Sequence, residues 1–82
     1  MIRRISSLEP LPGLKLRVGF DDGRTVVYDV AEDVAAWPSY TPLAEVEGLF
    51  MQASLDPSRT CGFWNDEIDL PADAIYEYGR AV

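Results

Sequence analysis

Apolar and polar residues alternate most cleanly between residues 14 and 30. Leu14, Leu16, Val18 and Phe20 fall on one side of an extended chain, and Lys15, Arg17 and Gly19 on the other. That is the period of two expected of a half-buried strand. Asp21-Asp22-Gly23 then supplies residues that tolerate the positive φ of a tight hairpin. Arg24 to Val30 returns as a second strand, rich in β-branched and aromatic side chains. Ahead of this hairpin, Ile2 to Leu8 reads as a strand with imperfect alternation. Glu9-Pro10-Leu11-Pro12-Gly13 closes it as a turn.

The pattern changes at Ala31. Ala31 to Trp37 fits about two helical turns, stopped by Pro38 because a residue before proline avoids the α region. Tyr40 to Val46 reads as a second short helix, with Thr41 as N-cap, Pro42 at the first helical position and Glu45 near the first turn. Neither piece is long enough to be stable alone. Leu49 to Leu55 alternates again, with Leu49, Met51, Ala53 and Leu55 on one face and Phe50, Gln52 and Ser54 on the other. Asp56-Pro57-Ser58-Arg59 is a turn by composition, and Thr60 to Trp64 the returning strand of a second hairpin. Asn65 to Leu70 reads as an acidic connection. Pro71 to Tyr78 is a terminal helix, with Asp73 near its positive end and Gly79 suited to its close. The order predicts an α+β fold. A small antiparallel or mixed sheet is built from two hairpins plus an N-terminal strand, with two or three short helices.

Length and composition narrow the function more than they define it. Eighty-two residues make one domain, expected over 1–82. A chain this short buries only about 60% of its unfolded surface, which leaves little room for an enclosed active site. Its 48% apolar content is that of a folded chain. There is no His, which removes Ser-His-Asp, Cys-His and HExxH chemistry together. The one Cys, Cys61, makes neither an intrachain disulfide nor a Cys-based zinc site. A lone Cys in a domain of this size points to the reducing cytoplasm. Arg3-Arg4 near the start has no apolar run behind it, so neither a signal peptide nor a membrane span is expected.

The charge is uneven. The chain carries 7 basic and 14 acidic residues, a net of −7. Residues 1–41 account for −1 of this and residues 42–82 for −6. An acidic half repels a phosphate backbone, so direct nucleic-acid binding is not expected. A basic protein partner is favoured electrostatically, although excess carboxylate also serves solubility alone.

Val18-Gly19-Phe20-Asp21-Asp22-Gly23 resembles the "v-x-F-x-D-G" signature of the bacterial domain of unknown function 2442. Tyr28-Asp29-Val30, the short helical region and Leu49-Phe50 follow in that family's order. Trp64, Asp69-Leu70 and Pro71 are similar to its "W-p-x-g-x-D-l-x-p" stretch and closing helix. Asn65-Asp66-Glu67 stands where the family often has a Pro-Asn-Gly turn. The resemblance implies a small α+β domain and no known activity. It also implies an association: some relatives sit beside a gene for another small domain, an arrangement that looks like a toxin–antitoxin pair, and some are fused to a helix-turn-helix domain.

The candidate partner-binding residues are Trp37, Tyr40, Trp64, Asp66, Glu67 and Asp69. Tyr and Trp are enriched at interface hot spots, and Trp37-Pro38-Ser39-Tyr40 lies in a turn where an aromatic pair would grip a partner. The competing reading puts all three rings in the core. Asn65, Asp66, Glu67, Asp69 and Asp73 form an acidic cluster, read as a docking surface for a basic partner or as a solvated loop. Its spacing does not fit an EF-hand, so no metal is expected, and no cofactor and no catalytic residue are assigned. Cys61 reads as an inert thiol. Arg3, Arg4, Arg17 and Arg24 are expected to share one face at the start of the sheet, paired with Asp29 or Glu9, with a weak anion site as the alternative. The residues favour a small cytoplasmic interaction module, not an enzyme; an antitoxin-like or regulatory role is implied by the resemblance, through association alone. Its partner would be a small protein, such as the product of a neighbouring gene, or a second copy of the chain. The alternative is a small-ligand-binding or sensory domain acting in trans.

Overall fold

The period-two segments fold as an antiparallel meander: β1 (Ile5–Leu11), β2 (Lys15–Phe20) and β3 (Thr25–Asp29). These coordinates come from a computed structural model that describes residues 3–65 and 67–82. Strand β1 runs on through Pro10 and Leu11, which the composition assigned to a turn. The geometry explains why proline is tolerated. Phe20 N–H donates to the Arg24 carbonyl and Val30 N–H to that of Leu14, so even-numbered residues of β2 bond towards β3 and odd-numbered ones towards β1. Pro10 lies opposite Leu16 and therefore turns its missing N–H to the free edge of the sheet, where no bond is lost. The β2–β3 hairpin closes as its sequence predicts, with Gly23 at φ 91° and its N–H on the Phe20 carbonyl at 2.9 Å.

Helix α1 (Val30–Ala36) starts where the Asp29 carboxylate accepts the Ala31 N–H at 3.0 Å, and ends before Pro38. A 3₁₀ turn at Pro38–Tyr40 leads into α2 (Pro42–Glu45), a single turn rather than the longer segment expected. Thr41 makes no side-chain cap bond; it is already in the helical region, at φ −51° and ψ −39°.

Two other segments depart from expectation. Residues 49–55 do not form a long strand. Phe50–Gln52 is a 3₁₀ turn, and only β4 (Ser54–Leu55) is extended. Two positions are reversed: Phe50 is buried and Met51 is 58% exposed, while Leu49, Ala53 and Leu55 pack against the core as expected. The cause is Trp64, whose ring stacks on Phe50 at 5.7 Å and whose Nε1 donates to the Phe50 carbonyl at 2.9 Å. The acidic connection at 65–70 contains a strand, β6 (Ile68–Pro71), paired with β5 (Cys61–Asn65). Ile68 and Leu70 face inward and Asp69 outward. No glycine stands in the turn; the Asn65 side chain bends it by accepting the N–H groups of Glu67 and Ile68 at 2.8 and 3.0 Å.

Helix α3 (Ala72–Tyr78) follows directly, and β7 (Arg80–Ala81) returns to pair with Val27 and Val26 of β3. Gly79 is not the left-handed cap expected, since its φ is −71°. Close approach requires it: a Cβ there would lie 2.5 Å from the Ile75 carbonyl oxygen and 2.8 Å from Val26 Cγ2.

The strands thus divide between two antiparallel sheets, ordered β1-β2-β3-β7 and β4-β5-β6. One cluster joins them. Ile5, Leu16, Val18 and Val26 meet Ile75 of α3, Leu43 of α2, Phe50, and Trp64, Ile68 and Leu70 of the second sheet. The sheets are also tied at the surface. The Arg59 guanidinium donates to both carboxylate oxygens of Asp21, at 2.9 and 3.0 Å, and to the Ile5 carbonyl at 3.1 Å.

The four arginines expected on one face are separated. Arg3 and Arg24 both lie over the Tyr76 ring, at 4.2 and 4.9 Å. Arg17 points to the opposite, uncovered face of the first sheet, because its neighbours Leu16 and Val18 take the core positions. There it is in register with Glu9 and Val27.

Candidate functional site

Strand β7 pairs with the far edge of β3 at Val26 and Val27, and the Val82 N–H after it donates to the Thr25 carbonyl at 3.0 Å. Beyond it, Tyr28 and Asp29 face an open groove of about 930 Å³. The α1–3₁₀ segment lines one part of this groove and the last turn of α3 another, with Leu70 and Pro71 at the end of β6. Two large aromatic residues open into it, Trp37 at 60% exposure and Tyr78 at 75%. Trp37 is held out by its own backbone. It sits between two helical segments in an extended conformation, at φ −125° and ψ 117°, as a residue before proline prefers.

Phenols and carboxylates lie beneath these rings. Tyr28 OH donates to Asp33 Oδ2 at 2.7 Å, and Tyr40 OH donates to the Asp69 carbonyl at 2.8 Å. The second bond fastens the 3₁₀ turn to the outer edge of β6. Burial, then the bond to Asp33 and its charge, push the Tyr28 phenol well above its ordinary range. Burial, then the charges of Asp33 and Asp69, raise that of Tyr40. Both phenols therefore stay neutral donors. The charged lining is divided. Asp29, Glu32 and Asp33 come from the start of α1, while Lys15 and Arg80 come from the first sheet. Lys15 is directly opposite Asp29 in the β2–β3 register.

Of the residues singled out from the sequence, Trp37 and Tyr40 both line this groove. Trp64 lies in the core, as the competing reading had it: it is 7% exposed, and its indole N–H is committed to the Phe50 carbonyl. Asp69 contributes its carbonyl to Tyr40, and its side chain is exposed on the outward face of β6. Glu67 is exposed in the β5–β6 turn, away from the groove lining. Asp66 lies outside the described residues. The sequence reading missed Tyr28, Asp33 and Tyr78. A signal for Tyr78 was present: Tyr76 and Tyr78 are two apart on one helix, so they cannot both face the core.

Burial, then the charges of Asp56 and Asp69, push the Cys61 thiol up, which keeps it protonated and a weak nucleophile. Among the described residues, no three His, Cys, Asp or Glu side chains are grouped to hold a metal ion. No helix among them is long and apolar enough to cross a membrane. What the groove can do chemically is stack and attract charge; the Tyr28 and Tyr40 hydroxyl protons are already committed to Asp33 and to the Asp69 carbonyl.

No curated protein and no solved structure matches this chain. The sequence profile of one family does, over residues 5–81. The chain therefore belongs to the family described as protein of unknown function, DUF2442.

Proposed function

We propose that the protein is a non-enzymatic interaction module and that the groove between α1 and α3 is its contact surface. The observation that carries this reading is the placement of Trp37 and Tyr78, both exposed, in one concavity. Exposed Trp and Tyr clustered in this way are the usual anchors of a protein interface. The partner is a small protein, in the antitoxin-like version of the reading the product of a neighbouring gene. The site of action is the cytoplasm, on the strength of the lone Cys61.

Size-exclusion chromatography with light scattering tests this, on the pure chain and on its mixture with the neighbour's product. A stoichiometric heteromer that Trp37→Ala/Tyr78→Ala no longer forms supports the reading. A chain that ignores the neighbour removes the antitoxin-like version. A complex unaffected by the double substitution removes the groove.

The volume of the groove favours one alternative, a small-ligand site in a sensory domain acting in trans. Such sites span roughly 300–1,000 Å³. A metabolite panel checks it by thermal shift, since a ligand at 100 times its Kd adds about 2.7 kcal/mol.

A further inference from the structure

We infer that the groove takes a cationic segment of its protein partner, and that an arginine or lysine side chain of this segment lies against Trp37 and Tyr78. This rests on reading the groove as a contact surface, and it specifies what that surface recognises. Aromatic faces attract cations through their ring quadrupole, and Trp does so most strongly. The carboxylates beside the rings are unequally committed. Asp33 already accepts the Tyr28 hydroxyl and Asp29 caps α1. Lys15 stands opposite Asp29. Glu32 is exposed and takes part in no hydrogen bond or ion pair found among the described residues. Arg80, like Lys15, lines the groove from the first sheet and not from the α1 wall. The wall that carries Trp37 is therefore acidic. After burial, the charge of Asp33 adds to what raises the Tyr28 and Tyr40 phenols. The whole chain, at −7, adds long-range attraction for a basic partner. A second copy, equally acidic, is a poor occupant.

The test uses a capped hexapeptide of alternating Gly and Arg, its Glu-for-Arg counterpart as control, and two-dimensional NMR of the full chain. The Arg peptide should shift the Trp37 indole and the resonances of Glu32 and Tyr78, and the Glu peptide should not. Trp37→Ala/Tyr78→Ala, which leaves net charge unchanged, should weaken binding about tenfold. Glu32→Gln should weaken it about threefold, and Glu47→Gln, the same charge change outside the groove, should not. Shifts spread over the acidic surface, or equal binding by the double variant, would overturn the inference. The two levels separate with the native partner. If its complex is lost with Trp37→Ala/Tyr78→Ala but untouched by Glu32→Lys, the contact surface stands and the cationic occupant falls.

Discussion

Arg59 and Asp21 face each other as a two-pronged ion pair that joins the β4–β5 turn to the β2–β3 turn. Arg59 holds this position at φ 61°, a left-handed conformation that costs a non-glycine residue about 1 kcal/mol. The backbone strain is offset by the pair and by the bonds to Ile5. Both side chains are about two-fifths exposed, 43% and 45%, so the pair is screened by solvent. Asp21→Asn should cost about 1 kcal/mol, less at high salt. Arg59→Gly should cost less than Arg59→Ala, because glycine removes the strain. Urea unfolding at two salt concentrations reads both differences.

Trp64→Phe keeps a ring beside Phe50 but strips the buried Phe50 carbonyl of its indole donor. An unsatisfied buried acceptor and a small cavity together should cost about 2–4 kcal/mol. The check is the denaturant midpoint at unchanged m-value. A loss below about 0.5 kcal/mol would show that water reaches this carbonyl.

Gly79→Ala should destabilise by about 1–3 kcal/mol although its φ suits any residue, because the added methyl meets the Ile75 carbonyl and Val26. Gly13, with open space around its Cβ position but φ 82°, isolates the contrasting case. Gly13→Ala should cost about 1 kcal/mol from backbone conformation alone.

Acid and alkali act on different residues. The Ser58 hydroxyl, then the N–H groups of Cys61 and Thr60, hold the Asp56 carboxyl below its ordinary value. A lowered carboxyl contributes stability above its unfolded pKa of about 3.9 and loses it as pH falls through the folded value. Asp56→Asn should therefore flatten the acid limb below about pH 4. Tyr28 has the opposite sign. Its contribution is complete below about pH 10 and is lost as pH rises through the raised folded value. Tyr28→Phe should cost about 1 kcal/mol at neutral pH, by loss of the bond to Asp33. It should also remove that part of the alkaline loss. Unfolding midpoints from pH 2.5 to about 11 resolve the two limbs.

Trp37→Ala should change stability by less than about 0.5 kcal/mol, since its ring is 60% exposed and outside the core cluster. Normal stability with lost partner binding is the combination expected of a contact residue, and calorimetry beside the chromatographic assay gives both readings.

The hairpin at 14–30 was legible because strict alternation, β-branched residues and an Asp-Gly turn agree with one another. Residues 49–55 were not. Seven residues suit a period of two or of three equally well, and only the distant Trp64 settles which way Phe50 turns. Strand β6 was hidden by the acidic residues around Ile68 and Leu70, whose own alternation is only three residues long. Strand β7 has no pattern to read; two residues are extended because Gly79 lets them reach β3. The groove was half legible. Trp37 and Tyr40 stand together in the sequence, but Tyr78 and Tyr28 join them only through the pairing of β3 with β7.

That pairing also orders events in time. The β1–β2–β3 meander closes through neighbouring segments and can assemble early, whereas Arg80 and Ala81 reach Val27 and Val26 from the opposite half of the chain. Contacts made last leave folding rates almost unchanged and set the rate of unfolding instead. Weakening β7 should therefore shorten the lifetime of the native state without slowing its formation. On a ribosome, the bare edge of β3 must wait for the final strand before it is covered.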